Sequence, residues 1–169
     1  MHFIGNHRSL VALALPDVNS PDYARTLLYK ARALIAINEC DTALKLLENV
    51  PENVSIKAAS SLARYIGASN PAAKESALEE LRDLSVEIEG DDPEADKRDK
   101  ALVKVLAGTA FAHAGEIEEA LDTLGVDTED LEAYVNAYYV WTLLTIFQRC
   151  SHSSDISCHK STRSSQKTI

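Results

Sequence analysis

Apolar residues recur every three or four positions in two runs between residues 22 and 50, which is the spacing of one face of an α-helix. Ahead of the first run, Ser20 predicts an N-cap and Pro21 the first helical position. Residues 38–41 predict a short turn between the runs, and Pro51 ends the second run. Two helices joined by about four residues pack antiparallel, so the pattern predicts a helical hairpin.

The same pattern occurs twice more along the chain. Residues 54–88 predict a hairpin with helices over 54–68 and 72–88, hinged at Asn70 and Pro71. Residues 95–125 predict a third hairpin with helices over 95–114 and 117–124 and its turn at Gly115. Residues 5–15 predict the second helix of an earlier hairpin. The hairpins align at offsets of 34 and then 43 residues, and the nine additional residues fit an acidic loop after position 88. The aligned small-residue positions are Ala31, Tyr65 and Gly108 in the first helices and Ala43, Ala77 and Ala120 in the second.

A period near 34 residues built from helical hairpins is typical of tetratricopeptide repeats. The fold class predicted is therefore all-α, a superhelical array of antiparallel hairpins in a tetratricopeptide-like α-solenoid. Small residues at the aligned positions let two helices approach closely, and each hairpin needs neighbours to bury its two apolar faces. The array is predicted to span residues 1–133, with hairpins in 5–50, 54–88 and 95–125.

In such an array the first helices line the concave side. Their groove positions are predicted at the residue three before each small position and at neighbours one turn further on. The predicted partner-binding residues are Leu28, Arg32, Ile35, Leu62, Ile66, Val105 and Thr109. An aliphatic groove of this kind indicates a long-lived protein partner that covers it. The alternative interpretation is that these side chains belong to a closed core between helices.

The pattern stops after residue 133. Residues 134–148 predict an aberrant apolar helix that caps the array and, at about 15 apolar residues, is short of the roughly 20 a membrane span needs. Residues 149–169 are rich in Ser, Thr, His, Lys and Arg and predict a disordered polar tail. One hypothesis is that this end is a variant, from a retained intron or a frameshift.

Composition supports the helical prediction and argues against some classes of binding partner. The chain has 46% hydrophobic but only 6% aromatic residues, with six glycines and five prolines, which favours helix. Its net charge of −9 argues against nucleic acid and against an anionic membrane surface. Cys40 is the one cysteine before residue 134, which is typical of a reducing, cytosolic compartment.

Candidate chemistry is sparse, and no catalytic, cofactor or metal site is predicted. Cys150 and Cys158, with the histidines beside them, match no standard closed zinc site. Cys40 is interpreted as a packing residue and His113 as a structural residue near a helix end. The acids of residues 91–96 lack the ligand order of a calcium-binding loop.

Two stretches, LLYKARALIAINECDTALKLLENVPE and AKESALEELRDLSVEIEGDDPEADKRDKALVKVLAGTAFAHAGEIEEALDTLG, resemble the coatomer epsilon subunit family over roughly residues 3–133. The resemblance implies a structural subunit of the coat on Golgi-derived vesicles in retrograde transport to the endoplasmic reticulum. It implies that the C-terminal region of the coatomer alpha subunit threads the array. It also implies a cytoplasmic protein that reaches Golgi membranes only through the coat complex.

The chain departs from the family pattern at both ends, where the initial helix and the C-terminal repeats are expected to be missing. An alternative function is a different tetratricopeptide adaptor or assembly scaffold. A chaperone clamp would need basic residues at groove positions, where Leu28, Leu62 and Val105 stand instead.

Overall fold

The computed structural model describes residues 7–125 except 21, 49, 52 and 90–96, together with residue 135. Within these residues the chain forms seven α-helices and no strand, so the all-α prediction is confirmed. The helices are α1 (His7–Ala12), α2 (Tyr23–Ala36), α3 (Cys40–Leu47), α4 (Val54–Gly67), α5 (Pro71–Glu87), α6 (Lys97–Ala114) and α7 (Ile117–Leu124).

The helix ends follow from local side-chain and backbone chemistry. Asn53 Oδ1 accepts a hydrogen bond from the Ile56 amide at 2.8 Å and caps α4. Asn70 Oδ1 accepts a hydrogen bond from the Ala72 amide at 3.0 Å and caps α5, whose first residue is Pro71. After α7, Gly125 has a φ of 72° and ends the helix in a backbone conformation that costs glycine little.

Four predicted boundaries in the first three helices are corrected. Helix α2 begins at Tyr23 with Asp22 as its N-cap, and the Ser20 hydroxyl accepts from the Asp22 amide instead of capping the helix. The observed turn is shorter than the predicted residues 38–41, because Asn38 takes a φ of 64° and α3 already begins at Cys40. Helix α3 ends at Leu47, before Val50, and α1 ends at Ala12, before the predicted residue 15.

The helices pack in two layers. Helices α2 and α3 form hairpin 1, α4 and α5 form hairpin 2, and α6 and α7 form hairpin 3. Helix α1 packs on α2, α3 on α4 and α5 on α6, while α4 also contacts both α2 and α6. The first helices therefore form one layer, which we call the inner wall, and α3, α5 and α7 belong to the other layer.

Small residues allow these close approaches, as the sequence predicts. Ala31, Ala43 and Ala120 are completely buried at helix contacts. A Cβ atom added to Gly108 would lie 2.6 Å from Cγ of Leu124. Helices α6 and α7 can therefore pack this closely only because Gly108 has no side chain. The exception is Tyr65 in hairpin 2, which is buried, with the Lys74 amine 5.8 Å from its ring centre.

Candidate functional site

The predicted groove residues divide into a buried set and an accessible set. Leu28 and Ile35 are each 7% exposed, Leu62 is 5% and Val105 is 3%, and all four belong to the hydrophobic core. Their burial corresponds to the alternative interpretation, in which they pack between helices. Arg32, Ile66 and Thr109 remain partly exposed, one on each helix of the inner wall.

The accessible surface of the inner wall is thus more polar than the sequence suggests. The Thr109 hydroxyl donates to the Val105 carbonyl at 2.6 Å, and the side chain is partly exposed on α6. Ile66 on α4 is half-buried, and Ser69, two residues after the end of that helix, is exposed. Protein partners would meet a mixed surface here, with the aliphatic side chains forming the layer beneath it.

Sequence reasoning missed one prominent side chain on the inner wall. Tyr29 on α2 is 45% exposed, and it shares the accessible stripe of that helix with Arg25, Arg32 and Ala36. Their spacing of four, three and four residues is the signal that could have identified the stripe. Tyrosine and arginine are the residue types that most often dominate binding energy at protein interfaces.

A partly buried hydrogen bond joins the inner-wall helices of hairpins 2 and 3. The Ser55 side chain is fully buried, and its hydroxyl donates to a carboxylate oxygen of Asp99 at 2.7 Å. Ser55 lies in the first turn of α4 and Asp99 in the first turn of α6. The bond therefore satisfies a buried hydroxyl and sets the register of the two helices.

In the other layer, an arginine joins hairpins 2 and 3. The Arg82 guanidinium on α5 binds Glu119 at 2.7 Å and Glu116 at 3.0 Å, at the start of α7, and also pairs with Glu79 on its own helix. The same guanidinium lies over the Phe111 ring, 5.6 Å from its centre. We call Arg82, Glu116, Glu119 and Phe111 the arginine clasp.

The clasp shifts the pKa values of its members in opposite directions. The hydrogen bond from Arg82 lowers the pKa of Glu119, whereas loss of solvent raises the pKa of Glu116 more than the guanidinium lowers it. Hydrogen bonding to Glu119 raises the pKa of Arg82 further above its usual value. Arg82 stays charged over the whole pH range in which the protein is folded, so any pH dependence of this junction comes from Glu116 and Glu119.

The corresponding junction between hairpins 1 and 2 is open. A cleft of about 380 Å³ lies between α3 and α5, with α4 beneath it, and we call it the α3–α5 cleft. Its lining is dominated by small residues: Cys40, Asp41, Leu44, Ala63, Arg64, Gly67, Ala68, Ala73, Ser76 and Ala77.

The offset of 43 residues between hairpins 2 and 3 explains why the cleft is open. Ala68 stands where Phe111 stands in the clasp, and Ala73 and Ser76 stand where Glu116 and Glu119 stand. The offset of 34 residues places Glu48 at the position of Arg82. Each large side chain that fills the second junction thus has a smaller or oppositely charged counterpart at the first.

Cys40 and His113 are the other candidates that lie in the described residues. Cys40 is buried, burial raises the pKa of its thiol, and a Cβ on Gly67 would lie 2.9 Å from its Cβ, which fits the predicted packing role. His113 lies exposed in the last turn of α6. No cluster of three metal-binding side chains occurs where the structure describes the chain, and the tail cysteines lie outside that part.

The predicted apolar helix of residues 134–148 also lies outside the described residues, apart from Val135, which is helical and 37% exposed. The same holds for the predicted tail, residues 149–169. None of the helices within the described residues is long and apolar enough to cross a membrane.

Comparison with known proteins gives one family. The family model described as Coatomer epsilon subunit matches residues 1–151, which is most of the chain and extends past residue 133. Comparisons with curated proteins and with solved structures give no significant match.

Proposed function

The chain belongs to the coatomer epsilon subunit family, and on that premise we propose that its inner wall binds the coatomer alpha subunit in retrograde vesicle transport from the Golgi apparatus to the endoplasmic reticulum. Membership of the family makes the chain a structural component of the COPI vesicle coat and an associate of the coat complex. The alpha subunit, the direction of transport and a purely indirect contact with Golgi membranes are the parts that we propose.

The accessible stripe on α2 is the observation that carries the proposal. Tyr29 is 45% exposed although it is a large side chain, and Arg25 and Arg32 flank it on the same face. A rigid ring between two guanidinium groups provides apolar contact area and directional hydrogen bonds at once. Such a stripe supports binding of a protein partner better than it supports a small-molecule site.

The buried aliphatic residues support the same function indirectly. Leu28, Ile35, Leu62 and Val105 pack together beneath the accessible side chains, so the inner wall is held in shape before the partner arrives. A preformed surface lowers the entropy lost on binding. We propose that Arg32, Ile66 and Thr109 contact the partner and that the four buried residues position them.

The experiment is calorimetric titration of the purified chain with the purified C-terminal region of the alpha subunit. The double substitution Tyr29→Asp and Arg32→Glu is expected to weaken binding by about 100-fold or more, since two interface hot spots are removed. Substitution of Leu28 or Val105 by Asp is unsuitable, because a buried charge would unfold the chain instead of testing the surface.

The matched control is Val86→Asp, which also places an acid at an exposed apolar position, 66% exposed, but on α5 in the other layer. It is expected to change the affinity by less than about two-fold. Absence of binding by the unchanged chain, or equal binding by the Tyr29 and Arg32 variant, would refute the proposal.

A further inference from the structure

We propose that the inner wall takes an acidic segment of its protein partner, bound by Arg25 on α2 and Arg98 on α6, the two helices that flank α4. The inference rests on the proposed function, because it names the chemistry of the partner segment at the same surface. The observation that carries it is a separation of charge between the two layers of helices.

The helices of the inner wall are basic. Within their described bounds, α2 and α4 contain five lysines and arginines and no aspartate or glutamate. Helix α6 contains four more basic residues and a single acid, Asp99, whose carboxylate already accepts a hydrogen bond from Ser55 at 2.7 Å. The inner wall therefore has almost no negative charge of its own to neutralise its cations.

The helices of the other layer have the opposite charge. Helices α3, α5 and α7 contain nine aspartates and glutamates and only three lysines and arginines. The whole chain has a net charge of −9, so the basic inner wall is not a consequence of overall composition. Charges of one sign gathered on one side of a protein raise the electrostatic potential there, and the potential of the inner wall attracts an acidic ligand.

Helical spacing places two of these cations on the face that the groove residues share. Arg25 lies seven residues, or two turns, before Arg32 on α2. Arg98 lies seven residues before Val105 on α6, and both Arg25 and Arg98 are exposed. Guanidinium groups pair with carboxylates through two parallel hydrogen bonds, so each arginine fits an Asp or Glu side chain.

The rest of the inner wall favours a peptide over a nucleic acid or a membrane. Tyr29 is exposed and Ile66 is half-buried, so apolar side chains of a peptide find contact beside the arginines. Arg64 on α4 pairs with Glu80 of the other layer at 2.8 Å and adds no charge to the wall. A long polyanion or a membrane plane would also meet the acids of α5 and α7, which repel it.

The test is a nuclear magnetic resonance titration of the full isotope-labelled chain with the peptide acetyl-Glu-Leu-Glu-Leu-Glu-amide, whose blocked end leaves only side-chain carboxylates. Saturable shifts are expected at the backbone amides of Tyr29, Ile66 and Thr109, with a Kd on the order of 1 mM for a ligand of this size. An increase from about 0.05 to about 0.5 M NaCl should weaken binding at least three-fold, because salt screens exposed charges.

Two substitutions test the arginines directly. Arg25→Gln and Arg98→Gln should each weaken binding of the acidic peptide about three-fold, and the double variant about ten-fold, because each removes one exposed charge. The matched control is Lys74→Gln, which removes a positive charge from an exposed position on α5 and should leave the affinity unchanged. Peptides with Gln or Lys in place of every Glu should bind at least five-fold more weakly than the acidic peptide.

Lack of saturation at these amides, equal binding of the glutamine peptide, or an unaltered affinity in the double variant would overturn the proposal. Tighter binding of pentathymidylate at the same amides would overturn it in favour of a nucleic acid. The calorimetric titration with the alpha subunit region decides the proposed function separately. Binding of that region without binding of the acidic peptide would overturn only this inference, and the reverse result would support it while refuting the alpha subunit as the partner.

Discussion

The two junctions between adjacent hairpins are formed by the same kinds of helix pair and differ in how their side chains fill the space. Between hairpins 2 and 3, Arg82 bridges to Glu116 and Glu119 over the Phe111 ring. Between hairpins 1 and 2, small side chains leave a cleft of about 380 Å³. In a repeat array each interface contributes separately to stability, so one junction can be closed and its neighbour left open without a change of fold.

The difference shows that the junctions of a degenerate repeat array need not contribute equally to its stability. A closed junction couples two hairpins and stabilises the array, whereas an open junction leaves part of its helix surfaces exposed to solvent. The substitutions described below are expected to convert one junction towards the other, and they are ordered from the largest expected effect to the smallest.

Removal of the ring beneath the clasp is expected to have the largest effect. Phe111 is fully buried, so Phe111→Ala should lower the free energy of unfolding by about 3–5 kcal/mol through lost apolar contact and a residual cavity. Urea unfolding followed by circular dichroism measures the loss. Phe111→Leu, which retains most of the volume, should lose distinctly less, and a loss below about 1 kcal/mol for Phe111→Ala would contradict the role of the ring.

Removal of the guanidinium is expected to have an intermediate effect. Arg82→Met keeps the apolar stem but leaves two carboxylates side by side, which should cost about 1–2 kcal/mol at neutral pH. The estimate is modest because the Arg82 side chain is 29% exposed and each glutamate 36%, so water screens the pairs. The matched control Arg64→Met breaks a pair that is 50% and 38% exposed and should cost at most about 0.5 kcal/mol.

The same variant should change how stability depends on pH. The folded-state pKa of Glu119 is lowered, so its contribution is present above the unfolded value and is lost as pH falls through the folded value. Glu116 has a raised pKa and responds in the opposite sense, because protonation relieves its desolvation. The difference between the unchanged chain and Arg82→Met should therefore shrink as pH falls from 7 to about 3.5, below the ordinary glutamate pKa of about 4.3. A constant difference over this range would exclude an ionic origin.

Transfer of the clasp to the first junction is expected to have the smallest effect. The triple variant Glu48→Arg, Ala73→Glu and Ser76→Glu recreates the three charges at equivalent positions. It should be about 0.5–1 kcal/mol more stable than the double variant that carries only the two new glutamates, a control for their effect on the start of α5. A triple variant no more stable than the double one would show that the two junctions are not equivalent.

Much of the fold was predictable because helix formation depends on local pattern. The bounds of α7 agree with the sequence prediction, and those of α4 and α5 agree within one residue, since Asn53, Asn70 and Pro71 mark their starts. The first hairpin was predicted less well. No side chain marks the end of α2, and the positive φ of Asn38 decides where the turn lies.

The candidate site was predictable only in part. Periodicity placed Leu28, Leu62 and Val105 on apolar faces, but burial by neighbouring helices depends on crossing geometry, which periodicity does not specify. Tyr29 was missed because the groove was predicted from aliphatic positions, and Tyr29 lies on the accessible stripe beside them.

The sequence by itself determined the helical hairpins, their period and the family, because each follows from the order of apolar, small and turn-forming residues along the chain. Only the tertiary structure decided which apolar side chains are buried and which junction is closed. The physical reason is that the contacts of Arg82 with Glu116 and Glu119 join residues 34 and 37 positions apart. Such contacts arise from helix packing, and no local pattern encodes them.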